Sequence, residues 1–247
     1  MLKGLYDAAA GMKARLAIQD IIASNLANAA TSGFQRQIAS IQSRALPMAD
    51  GGGNRPAGTA AAARSPREVL EPVSAPDTRP GVLQQTGVNT DVALDGPGYL
   101  VVGTARGTRL IRGGSLRANR QGDLATIDGD PLLGANGKPI RVGDKSWQVF
   151  PDGTVTAGGA ALGRLRIVRP GGPVRTEGAT LASAGRLRDL AAGAVRVRQG
   201  VLERSNVDTV SEMVNMIAGV RAYEASQRAV LAQDESLQSL LEVVKQM

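Results

Sequence analysis

Asp91 with Asp95, and Asp128 with Asp130, come nearest in type and spacing to residues that could do chemistry. Paired carboxylates can serve as acid and base, or hold a cation. A calcium site needs several oxygen ligands at a characteristic spacing, and neither pair is continued by more of them. Asp before Gly, as at Asp128-Gly129, is the ordinary composition of a turn. The chain has no His and no Cys. That removes Cys/His zinc sites, thiol nucleophiles, Ser-His-Asp triads and disulfides. Gly96-Pro97-Gly98 opens like a dinucleotide loop, but position 101 is Val and strand-like residues follow where a helix is needed. Gly137-Lys138 runs into Pro139, so it is not a phosphate loop. No catalytic residue, cofactor or metal ligand is expected.

The elements around these residues are more informative. From Ser205 to the end the chain has no Pro and one Gly, Gly219. Apolar residues recur in steps of four and three: Met216, Val220, Tyr223, Val230, Leu237, Leu241 and Val244, with Gln227 and Asp234 in the polar slots. This heptad seam predicts a helix packed along its length against another, and at ~1.5 Å per residue it would reach about 60 Å. Met213, Ile217, Leu231 and Leu240 widen the apolar stripe beyond what one partner covers. Residues 2–28 repeat the pattern through Leu5, Ala9, Met12, Leu16, Gln19, Ala23 and Leu26. Gly33 closes that segment, and Phe34 is expected to fill an apolar pocket at its end.

Between the helices the composition changes twice. Residues 46–82 hold Pro47, Pro56, Pro66, Pro72, Pro76 and Pro80 with Gly51-Gly52-Gly53, and read as a linker or extended arm. Residues 83–200 alternate short apolar runs with Gly113-Gly114, Gln121-Gly122, Asp128-Gly129, Asn136-Gly137, Asp152-Gly153 and Gly158-Gly159, all read as turns. The predicted fold is α+β: N- and C-terminal helices form a coiled-coil-like pair, with an inserted, mainly antiparallel β domain. Its parts are a helix and turn over 1–35, an arm over 36–82, a β domain over 83–200 and a long helix over 201–247. Asp208 stands where a carboxylate would cap the last helix.

Net charge is +7, yet Lys is rare, Arg is scattered and aromatics make up 2% of the chain. Nucleic-acid binding wants clustered cations with stacking aromatics, so it is not expected. No apolar run approaches the ~20 residues of a membrane span. Asp7, Lys13 and Arg15 interrupt any secretory signal core.

Three blocks give the chain a family resemblance. Ser24-Asn25-Leu26-Ala27-Asn28 with Thr31-Ser32-Gly33-Phe34 is the first. Gln85-Thr86-Gly87, Asp91 to Leu100, Arg112 to Leu116 and Asn119 to Leu124 make the second. The third runs from Gln199 through Glu203-Arg204-Ser205-Asn206-Val207-Asp208 to Glu212–Ile217 and Arg221–Ala225. Together they resemble the bacterial flagellar basal-body rod proteins, of the axial family that includes the hook protein. The length and the single β insert resemble the rod members more than the longer hook protein. The resemblance implies self-association and association with other rod and hook proteins into a hollow tube that transmits torque. It also implies export by the flagellar type III apparatus without a cleaved signal, and a place in the periplasm-spanning basal body.

The expectation is therefore a structural rod subunit and not an enzyme. Its assembly residues would be Leu5, Met12, Leu16, Leu26, Met216, Val220, Tyr223, Val230, Leu237 and Leu241. Its motif residues would be Asn25, Asn28, Thr31, Gly33, Phe34, Ser205, Asn206, Val207 and Asp208. The second reading is a secreted β-domain protein that binds or cleaves a cell-wall glycan, with Asp91 as the acid to test.

Overall fold

The computed structural model describes residues 2–45, 68–178, 180–191 and 193–245. The fold is α+β, with two helices and mainly antiparallel sheets. Helix α1 spans Leu2–Ala27, and strands β1 (Gln37–Ala45) and β2 (Glu68–Pro76) follow. The next strands are β3 (Leu83–Gln85), β4 (Asp91–Asp95), β5 (Tyr99–Thr104), β6 (Gly107–Ile111), β7 (Gly113–Ala118) and β8 (Leu124–Thr126). Then come β9 (Trp147–Val149), β10 (Thr154–Ala157), β11 (Ala160–Arg164), β12 (Ile167–Pro170), β13 (Val174–Glu177) and β14 (Thr180–Ser183). Strands β15 (Leu187–Asp189), β16 (Arg196–Gln199) and β17 (Val201–Glu203) precede helix α2 (Thr209–Lys245). No helix among the described residues is long and apolar enough to cross a membrane.

The chain forms two compact units. One holds 1–22, 39–74 and 214–247; the other holds 23–38 and 75–213. In the first, β1 and β2 pair at the two ends of the stretch read as an arm, and 46–67 lie outside the described residues. Helix α1 starts and stops near the predicted positions, and α2 runs unbroken from its cap.

The β unit is organised by β5, the Tyr99-Leu100-Val101-Val102 run. A strand buried on both faces reads as a continuous apolar run rather than an alternation. Leu100 and Val102 point into a core with Val92, Leu94, Leu116, Leu124 and Val155. Tyr99 and Val101 point the other way, into a second cluster with Leu110, Val168 and Leu181. Strand β5 lies inside a six-stranded sheet of order β13-β14-β6-β5-β12-β15, and a four-stranded sheet has the order β16-β4-β7-β8. Leu, Val and Ile fill these layers, which is how a chain so poor in aromatics builds a core.

The turn reading needs one correction. Gly113-Gly114 is not a turn; it opens β7, where Ala93 faces Gly113 and Val92 faces Gly114. A Cβ at Gly113 would stand 2.2 Å from the Val92 carbonyl oxygen, so Gly113 is set by close strand approach. Asp152-Gly153 does turn the chain. Asp152 Oδ1 accepts from the Thr154 amide at 2.9 Å and Oδ2 accepts from its hydroxyl at 2.7 Å. Those two bonds, hydroxyl first, hold the Asp152 carboxyl below its ordinary pKa.

Candidate functional site

The first and third motif blocks, distant in sequence, come together inside the β unit. Where α1 ends, the Asn25 side chain is 1% exposed. Its Oδ1 accepts from the Gln37 amide at 2.8 Å, and its Nδ2 donates to the Gln37 carbonyl at 2.9 Å. An amide side chain is thus paired with a peptide unit as another strand would be. Asn28 Nδ2 donates to the Ser24 carbonyl at 2.9 Å, and the Thr31 hydroxyl donates to Asn28 Oδ1 at 3.2 Å. Those bonds satisfy part of the helix end that would otherwise lack partners. Gly33 then adopts φ 72°, where a side chain is strained, and its amide donates to the Glu203 carbonyl at 2.8 Å. Phe34 is buried, as expected for a plug.

The next residues make the long-range ties. Tyr99 donates its hydroxyl to Gln35 Oε1 at 2.8 Å, and burial pushes the Tyr99 phenol pKa up. The Arg36 amide donates to Asn206 Oδ1 at 2.7 Å, and the Arg36 guanidinium pairs with Glu212 on the first turns of α2. Glu212 is 1% exposed. Asn206 spends its other side on β2's exit, donating Nδ2 to the Asp77 carbonyl at 3.1 Å and the Arg79 carbonyl at 2.8 Å. Beside Asp77, the Arg79 guanidinium holds the Asp77 carboxyl below its ordinary value.

A buried ion pair anchors this clasp. Arg112 and Glu203 meet at 2.8 Å with side chains 4% and 2% exposed. Arg112 also donates to the carbonyls of Gly96 at 2.9 Å and Gly98 at 2.6 Å. Glu203 Oε1 accepts from the Gly81 amide at 3.0 Å. Burying two charges is tolerated only when remaining donors and acceptors find partners, and most do here.

Helix α2 starts on Asp208 as expected. Its Oδ1 accepts from the amides of Val210 at 3.1 Å and Ser211 at 3.4 Å, and its Oδ2 accepts from the Ser211 hydroxyl at 2.7 Å. These bonds, the hydroxyl first, lower the Asp208 pKa. Ser205 supports the approach by accepting from the Val207 amide at 3.3 Å.

In the helical unit the predicted seams are partly displaced. Met12 and Met216 are half-buried, as are Tyr223 and Val230. Leu16 is 44% exposed and Val220 42% exposed, while Ala14 is 1% exposed. Gly219 takes the inner position beside Val220: a Cβ added there would lie 3.4 Å from Gln19 Cγ. Stepping by three at Gly219 lets Gln19 approach the backbone, and Val220 turns outward. The exposed face carries Val214, Ile217 and Leu231, at 60, 56 and 61% exposure. Leu26, at the other end of α1, is half-buried. The side chains of Leu5, Leu237 and Leu241 lie outside the described residues.

Asp91, the acid of the glycan reading, is committed to the fold. Its two oxygens accept from the hydroxyls of Thr86 at 2.7 Å and Ser115 at 2.6 Å. Among the described residues no group of three or more potential metal-ligating side chains occurs.

Sequence reasoning missed Gln35, Arg36 and Asp77 altogether, and gave Arg112, Glu203 and Glu212 no role beyond their place in a block. One signal was available: Arg112 closes the apolar run Leu110-Ile111, and a charge entering a core must find a partner.

Two family models match this chain, one on each side of the β insert. Residues 5–35 match the family described as flagella basal body rod protein, and residues 198–243 match the C-terminal family of flagellar basal body rod FlgEFG proteins. Among similar proteins, the flagellar basal-body rod protein FlgF of Salmonella typhimurium is 35% identical over 94% of each chain. FlgF of Escherichia coli is 33% identical over 94% of each chain. The flagellar basal-body rod protein FlgG of Bacillus subtilis is 28% identical over 98% of each chain. The two matched stretches contain Asn25 and Gly33 on one side and Glu203, Asn206 and Glu212 on the other, which are part of the clasp.

Proposed function

Because the chain belongs to the flagellar basal-body rod protein family and is a structural subunit of the basal body, we propose that its two terminal helices build the shaft. In this reading α1 and α2 pair as a coiled coil, and the face they leave uncovered packs against neighbouring copies and other axial proteins. The assembled tube is hollow and carries torque to the hook. Export through the flagellar type III apparatus, with no leader removed, brings the subunit to its place.

The observation that carries the proposal is the clasp. Within the β unit it ties the segment that follows α1 to the start of α2 through Arg36, Asn206 and Glu212. The exposed stripe Val214, Ile217 and Leu231 supplies apolar area for contacts between copies. Burial at ~25 cal/mol per Å2 sums over many such contacts along a shaft. A glycan-cleaving role draws no support from Asp91, whose oxygens are taken by hydroxyls.

The test is Met216→Asp. A charge at this half-buried position should abolish motility and incorporation into basal bodies while the β unit stays folded, followed by near-ultraviolet circular dichroism of Trp147. Normal swimming by that variant would overturn the proposal.

A further inference from the structure

The β unit carries a groove beside the start of β5 and a projecting turn, or knob, beside its end. The groove holds about 550 Å3 and is walled by Pro80, Pro97, Pro170 and Val174 over Gly96 and Gly98. Its rim is cationic. Arg169 of β12 lies directly opposite Arg188 of β15. Like charges facing across strands repel, and among the described residues neither has an ion-pair partner. Arg186 stands just before β15 and is also exposed. Arg112 reaches the groove too, but Glu203 already neutralises it.

The knob is the turn Ile127-Asp128-Gly129-Asp130. Ile127 is 65% exposed, an apolar side chain held out between strands. The turn is fixed by the Gly129 amide donating to the Thr126 carbonyl at 3.0 Å and the Thr126 amide donating to the Asp130 carbonyl at 2.9 Å. The Arg117 guanidinium holds the Ile127 carbonyl from below. Among the described residues neither Asp128 nor Asp130 has an ion pair.

Their placement decides the geometry. The groove includes Gly98 and Tyr99, where β5 begins. The knob is attached where β5 ends, since the Gly103 amide donates to the carbonyl of Pro131, the residue after the turn, at 2.9 Å. From Gly98 to Gly103 is five residues along the strand, about 16 Å at ~3.3 Å per residue. Complementary surfaces at opposite ends of a rigid element join copies head to tail, and such contacts propagate into open filaments instead of closing into dimers.

We propose that the acidic, apolar-tipped turn 127–130 of one copy seats in the Arg169/Arg188 groove of the next, a contact between β units that is separate from the helices. This rests on the rod-subunit reading, and adds the surface by which outer parts of neighbouring subunits lock.

The native chain lacks cysteine, so introduced disulfides report only the designed contact. The full chain carrying Ile127→Cys and Val174→Cys would replace the native one, and isolated basal bodies would be oxidised. Intermolecular disulfide-linked species are expected from the double variant and from neither single variant. A double variant present in basal bodies without cross-links overturns the contact and leaves the rod reading standing. Absence of the wild-type chain from basal bodies would instead sink the rod reading, and the contact with it. As a second measure, Arg169→Glu with Arg188→Glu should lose incorporation, and adding Asp128→Arg with Asp130→Arg should restore it. Undisturbed incorporation of the first pair would mean that the arginines merely guard a free sheet edge against strand addition. Failure of the fourfold exchange to restore incorporation would also overturn the contact.

Discussion

Arg36 and Glu212, 176 positions apart, form an ion pair at the root of the long helix. Beneath it Arg112 and Glu203 make a second pair, buried on both sides. The two pairs divide the work: the inner one fixes β17 to the link between β6 and β7, where the chain passes from one sheet to the other, and the outer one fixes the exit of α1 to the start of α2.

Glu203→Ala should cost about 3–5 kcal/mol in the β unit, because it strands a buried guanidinium without its counter-charge. Replacing both partners, as in Arg112→Met with Glu203→Leu, should cost less than the single change. Urea denaturation followed through Trp147 would measure both, and equal losses would show that the charges are not coupled.

Asn25→Leu should destabilise the same unit by about 1–3 kcal/mol, since it takes the partner from both the amide and the carbonyl of the half-buried Gln37. The readout is the denaturation midpoint. A shift no larger than that of an exposed substitution would contradict the strand-like pairing seen at this side chain.

Acid should loosen the helix start. Asp208 and Asp77 both have folded pKa values lowered from 3.8, by hydrogen bonds from Ser211 and Arg79 respectively. Carboxyls depressed by folding stabilise fully above their unfolded pKa, and lose that contribution as pH falls through the folded one. Stability should therefore decline below about pH 4 and keep declining to lower pH. Asp208→Asn keeps a capping oxygen without the titration, so its thermal midpoint should fall less steeply over the same range.

Hydrogen exchange should separate the two units in the dilute monomer. The β unit should protect its strands, while α2 beyond Val214 should exchange quickly until assembly covers its exposed face. Strong protection of that helix in a verified monomer would argue that it needs no neighbours.

Much of this was legible because it depends on local spacing. Met216, Tyr223 and Val230 marked α2 through their periodicity, and the Tyr99–Val102 run marked β5 through its composition. What was illegible depends on contacts made far along the chain. Arg112 finds Glu203 at a separation of 91 residues, which no window of sequence reveals. Gly113-Gly114 read as a turn because the Val92 carbonyl that excludes a side chain at Gly113 comes from another strand. Val220 fitted the heptad as well as Gly219 did; only the approach of Gln19 decides between them. Strands β1 and β2 sit at the ends of a Pro- and Gly-rich stretch, whose composition hides the pairing.

The clasp also sets a clock. A polypeptide grows from its first residue, and Arg36 lacks its ion-pair partner until Glu212 has been made. Until then the segment that leaves α1 is not yet tied to the start of α2. The final knot is tied by nearly the last segment to emerge, so a truncated subunit would lack the means to present itself as finished.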